Sequence, residues 1–144
     1  MSKSSFHGAW KLISSEMRTA SGDVQYPLGE DCAGRLVCDA DGNFSAQLMR
    51  RDRPNFASED LMRGTDEEIR TAYQGFVSFW AQFEMDEAKK EITYVVQGSL
   101  FPNWLGHQNL RHYEFEGNQL TLKTPTFLMA GQEITGVLIW ERIA

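Results

Sequence analysis

The chain opens on Gly8-Ala9-Trp10 entering one strand-like run and closes on Trp140-Glu141-Arg142 leaving another, with about six more such runs between them. First and last strands of matching character predict a sheet that closes on itself. Closure removes the unpaired edges that an open meander would present to other chains. It also bounds function. A barrel of about eight strands has an interior just wide enough for its own side chains or for one small ligand.

The runs cover residues 9–16, 34–39, 43–50, 76–85, 91–98, 108–116, 119–124 and 133–142. Each is recognised by period-two alternation between turn signals. In the third run Phe44, Ala46 and Leu48 alternate with Ser45, Gln47 and Met49; in the fifth, Ile92, Tyr94 and Val96 alternate with Thr93, Val95 and Gln97. Asp41-Gly42 is a two-residue hairpin signal, and Gly117-Asn118 turns the sixth run into the seventh. Residues 51–64 form a polar connector broken by Pro54. Thr65 and Glu68 then form a capping box that starts a short helix over residues 66–73. Acidic residues in its first turn suit the helix dipole. Sequential strands with mostly short turns predict an all-β, closed, up-and-down antiparallel eight-stranded barrel, with one short helix between strands 3 and 4. A helix placed there can lie across one mouth as a lid. The rival architecture is a two-sheet sandwich, which needs longer crossing connections.

At 144 residues the expectation is a single domain, residues 1–144. An apolar fraction of 42% and an aromatic fraction of 12% supply either a thick core or an apolar cavity wall. The formal charge of −6 argues against a nucleic-acid partner, which needs clustered Lys and Arg; only Arg50, Arg51 and Arg53 cluster. No run of about 18 apolar residues is present to span a membrane as a helix. Residues 1–7 lack the apolar stretch of a secretory signal. Cys32 and Cys38 then read as free thiols of a cytoplasmic protein. Oligomeric state stays open, with a homodimer as the alternative to a monomer.

Candidate functional residues concentrate near the sixth strand. Arg111 and Tyr113 share one face, and there they make a two-donor clamp for a carboxylate or enolate oxygen. His112 and Glu114 share the other, where a general base would have its orienting carboxylate. The two proposals exclude each other unless a bulge intervenes. His107, in the Trp104-Leu105-Gly106-His107 loop, is a second acid–base candidate at a barrel mouth. His107, His112 and Glu114 show no recognised ligand spacing, so no metal is expected. Gln47, Gln97 and Ser99 are neutral polar groups among apolar neighbours, suited to fixing a ligand, while Trp104 and Trp80 are candidate walls. The chain has no glycine-rich phosphate loop and no nucleophile elbow. No cofactor is expected.

Gly8-Ala9-Trp10-Lys11-Leu12, Ser45-Ala46-Gln47-Leu48-Met49-Arg50, Asp52-Arg53-Pro54-Asn55-Phe56, Gly64-Thr65-Asp66-Glu67-Glu68, Gly98-Ser99-Leu100-Phe101-Pro102-Asn103-Trp104 and Thr135-Gly136-Val137-Leu138-Ile139-Trp140-Glu141-Arg142 run in order over nearly the whole chain. In these stretches it resembles the small stand-alone bacterial and fungal lipocalin-like domain proteins of the calycin group. The resemblance implies a closed barrel with an internal cavity and a small hydrophobic or amphipathic ligand. It also implies a structural role for Trp10 packed under Arg142 at the closed end, a part Trp140 could take instead. It does not imply one activity, because such relatives include carriers and also cofactor-independent isomerases or cyclases. Three readings follow: a small-molecule binder, an isomerase or cyclase using His107 or His112, and an interaction domain whose barrel is filled by its own side chains.

Overall fold

A computed structural model describes residues 3–143 of the chain; Met1, Ser2 and Ala144 lie outside the described residues, and with them the two ends of the expected 1–144 domain and of the N-terminal stretch. The strands are β1 (Gly8–Thr19), β2 (Val24–Gln25), β3 (Cys32–Cys38), β4 (Asn43–Arg50), β5 (Phe76–Asp86), β6 (Glu91–Ser99), β7 (Gln108–Glu116), β8 (Gln119–Lys123), β9 (Phe127–Met129) and β10 (Gln132–Arg142). One antiparallel sheet runs β2-β1-β3-β4-β5-β6-β7-β8-β10-β9, and β1 also pairs with β10 from Trp10↔Arg142 to Thr19↔Ile134. That pairing closes eight strands into a barrel. The short strands β2 and β9 are ribbons attached to its rim, β2 on Met17 and Arg18 and β9 on residues 132–134.

The one α-helix among the described residues, α1 (Asp66–Gln74), follows β4. Sequence alternation counted the preceding strand as the third. It missed β2, whose two exposed residues carry no period-two pattern to detect. The capping box at Thr65 and Glu68 is formed: Thr65 Oγ1 accepts from the Glu68 amide at 3.1 Å, and Glu68 Oε1 accepts from the Thr65 amide at 2.9 Å. No residue of α1 is buried. Arg53 tethers the helix to the barrel, donating to the Ala72 carbonyl at 3.3 Å while its guanidinium lies 4.8 Å from the Phe76 ring centroid.

The two ends of the barrel differ. At one end tight turns join β3 to β4, β5 to β6 and β7 to β8, and a 3-10 turn (Lys3–Phe6) plugs the opening. Phe6 is fully buried there, with edge-on contacts to Tyr113 at 5.1 Å and Phe115 at 4.9 Å. At the other end lie β2, α1, β9 and the long connectors. Side chains between the ends follow the strand alternation, with Leu36, Phe44, Ala46, Leu48, Phe79 and Leu122 turned inward and buried. Two irregularities break the alternation. A bulge between Leu12 and Ser14 shifts the β1 register, so Trp10 and Leu12 point inward before it and Ser15 after it. In β6 the register shift opposite Trp80 and Ala81 leaves Gln97 without a cross-strand partner. Beside it the Trp80 indole lies across Gly98, where a Cβ would come within 2.1 Å of the ring, so only glycine fits.

Candidate functional site

The barrel encloses a cavity of about 380 Å³ that reaches the end bearing α1 and β9. That volume lies within the range of small-ligand sites. Its walls are apolar: Leu36, Phe44 and Phe79 on one side, Leu122, Leu138 and Trp140 on another. The Phe44 and Tyr94 rings stack at 4.2 Å, and Trp104 closes edge-on against Phe79 at 5.7 Å. Gln74 carries the end of α1 into the lining, and Phe127 and Met129 do the same for β9. The predicted helix and the short ribbon β9 therefore both border the mouth.

Within this apolar wall sit a few polar groups. Arg111 projects inward from β7, its guanidinium 5.7 Å from the Tyr94 ring centroid. Its Nη1 donates to the adjacent Leu110 carbonyl at 2.9 Å, and no carboxylate among the described residues pairs with it. Burial pulls its pKa below the ordinary arginine value, offset in part by Tyr94. Burial likewise pushes the Tyr94 hydroxyl well above its usual value, against the Arg111 charge that would lower it, so Tyr94 stays a neutral phenol. Tyr94 Oη, Asn109 Nδ2, Trp140 Nε1 and Ser15 Oγ are all buried without a hydrogen-bond partner among the described residues. All four belong to residues of the cavity wall. Buried polar atoms in folded proteins are nearly always paired, so four orphans in one wall are unusual.

Of the residues singled out in the sequence, Arg111 and Trp104 line this cavity. Tyr113 shares the inward face of β7 but sits deeper, 2% exposed beside Phe6 and Phe115, with its hydroxyl unpartnered. His112 and Glu114 occupy the outer face, where His112 Nδ1 lies 3.8 Å from Glu91. His107 is exposed in the connector after Trp104. Gln47 lies on the outer side of β4, between the inward Ala46 and Leu48. Gln97 is exposed at the β6 irregularity, and Trp80 is 57% exposed on the outer wall. Ser99 accepts from the Phe101 amide at 3.1 Å and so shapes the connector. Trp10 and Trp140 separate clearly. Arg142 lies 4.1 Å from the Trp10 ring centroid at the sealed end, while Trp140 faces the cavity.

Tyr94, Asn109, Ser15 and Trp140 as polar wall groups escaped the sequence reading. Ser15 escaped because the bulge changes which of Ser14 and Ser15 faces inward, and alternation counted from Trp10 and Leu12 selects Ser14. Asn109 shares the face of Arg111 and Tyr113 at the same period, but only the inward turn of that face marks it as a wall group. Tyr94 and Trp140 are legible as apolar bulk, but nothing in the sequence tells whether their polar tips are satisfied. No group of three His, Cys, Asp or Glu residues able to hold a metal occurs among the described residues.

Comparison with known proteins agrees with this geometry. A family model described as a lipocalin-like domain matches residues 7–143. A 4'-hydroxy-3'-methoxypropiophenone carrier protein from Aspergillus oryzae is 26% identical over 107 residues, which span 69% of this chain and 96% of that protein.

Proposed function

The chain belongs to the lipocalin-like domain family, and from that membership we propose that it is a carrier that holds one small amphipathic molecule inside the barrel. The observation that carries this reading is the 380 Å³ cavity with apolar walls and the inward Arg111. An aromatic guest burying roughly 200 Å² gains about 5 kcal/mol from apolar contact. Association itself costs a similar amount. The few polar contacts therefore set affinity and selectivity.

The carrier named among the similar proteins handles an aryl ketone, and a guest of that size fits the volume here. The aromatic wall of Phe44, Phe79, Tyr94 and Trp140 favours a flat body. An isomerase or cyclase acting through His107 or His112 has less support, because neither histidine lines the cavity. Cys32 and Cys38 stand at opposite ends of β3, about 20 Å apart along the strand, too far for a disulfide. Free, buried thiols support a cytoplasmic setting.

The test is calorimetric titration with a panel of small aryl ketones and aryl acids, led by 4'-hydroxy-3'-methoxypropiophenone. One-to-one binding is expected, and it should vanish in Ala46→Trp, which fills the cavity from β4. Circular dichroism checks that the variant keeps its fold. Absence of binding across the panel, or binding indifferent to Ala46→Trp in a folded protein, overturns the proposal.

A further inference from the structure

Resting on the carrier reading, we infer that the guest is an organic acid, held with its negative charge against Arg111 and its apolar body against the aromatic wall. Arg111 uses Nη1 on the Leu110 carbonyl, leaving most of its five N–H donors free. Those N–H groups can only donate, so what Arg111 asks of a guest is an acceptor.

Charge points the same way. The chain carries 20 Asp and Glu residues against 14 Lys and Arg, yet no acidic side chain among the described residues lines the cavity. The carboxylates that meet arginines do so elsewhere: Asp52 on Arg50, Asp31 on Arg51, Glu16 on Arg18 and Asp60 on Arg63. A buried cation without a counter-charge is costly, and folded proteins normally pair it. Here the pairing group comes with the guest. A carboxylate suits the planar guanidinium fork, which takes both oxygens at once. The neutral Tyr94 phenol beside it brings no competing charge.

Isosteric probes separate charge from shape. 2-Naphthylacetate and 2-naphthylacetamide share a body that fits the cavity and differ in charge. Calorimetry at neutral pH with both, alongside the neutral aryl ketone, should show the acid bound roughly 10- to 100-fold more tightly than its amide, the scale of one charged hydrogen-bonded contact. In Arg111→Met that preference should collapse to near unity, acid affinity falling far more than amide affinity. A melting temperature equal to or above that of the unchanged protein shows that the variant is folded. Equal affinity for acid and amide in the unchanged protein overturns the inference, as does a preference that survives Arg111→Met. If the ketone binds and neither naphthyl probe does, the carrier reading stands and the acid inference falls. If nothing binds, both fall together.

Discussion

At the sealed end, Arg142 stacks 4.1 Å from the Trp10 ring centroid and donates to the carbonyls of His7 and Ser5, each at 2.6 Å. Trp10 in turn donates its indole N–H to the Phe6 carbonyl at 3.1 Å. At the open end, Arg111 meets the Tyr94 ring and only the Leu110 carbonyl, and the Trp140 indole N–H meets nothing among the described residues. Both indoles are 1% exposed, so burial does not distinguish them. Hydrogen-bond satisfaction does. Where the chain completes its own contacts, an Arg–Trp pair locks the barrel. Where it leaves them incomplete, similar residue types line the open cavity.

The sharpest way to break this contrast is to cut one aromatic at each end. Trp10→Ala removes a buried indole, its hydrogen bond and the platform under Arg142, and should cost about 3–5 kcal/mol in urea denaturation. Trp104→Ala, at the half-buried mouth, should cost under about 1 kcal/mol while weakening guest binding. Comparable losses from both would erase the distinction.

Exchanging the arginines comes next. Arg142→Met loses the stacked cation and two charged hydrogen bonds, an expected destabilisation of about 2–4 kcal/mol. Arg111→Met removes an unpaired buried charge, so stability should hold or rise by about 1–2 kcal/mol. Thermal unfolding of both variants without guest reads the sign directly.

A smaller effect belongs to the rim. Thr65→Ala breaks the capping box and should weaken α1 by about 1 kcal/mol. With no buried residue in the helix, hydrogen exchange should speed up in residues 66–74 and leave the barrel strands protected.

The smallest effect is acid sensitivity. Backbone amides of Thr65 and Ala57 hold the Glu68 carboxyl below its ordinary 4.5, and the Asn43 side chain and amide hold Asp39 below its ordinary 3.8. Depressed values mean stabilisation that is present above the unfolded pKa and lost as pH falls through the folded one. NMR carboxyl titration should place both midpoints below the ordinary values, and an unshifted midpoint at either would contradict its assigned contacts.

Much of the barrel was legible because strand alternation, Asp41-Gly42 and the Thr65–Glu68 box are local signals with local causes. Residues 43–50 coincide with β4 and residues 108–116 with β7. The short ribbons β2 and β9 were not legible, since two or three residues cannot show a period. Arg111 was legible as a donor on one face of β7. Which face turned inward was not, because a side chain's direction depends on register with β6 and β8.

The amino-acid order alone determined where the main strands, their turns and the helix cap would lie and that alternate positions would supply an aromatic-rich interior, because period-two patterning and turn chemistry act between near neighbours. Tertiary structure alone decided which indole would be satisfied and which left open, and that Arg111 would lie without a counter-charge. Those outcomes depend on bulges, on cross-strand register and on which distant group arrives within hydrogen-bonding distance. No local pattern records such encounters.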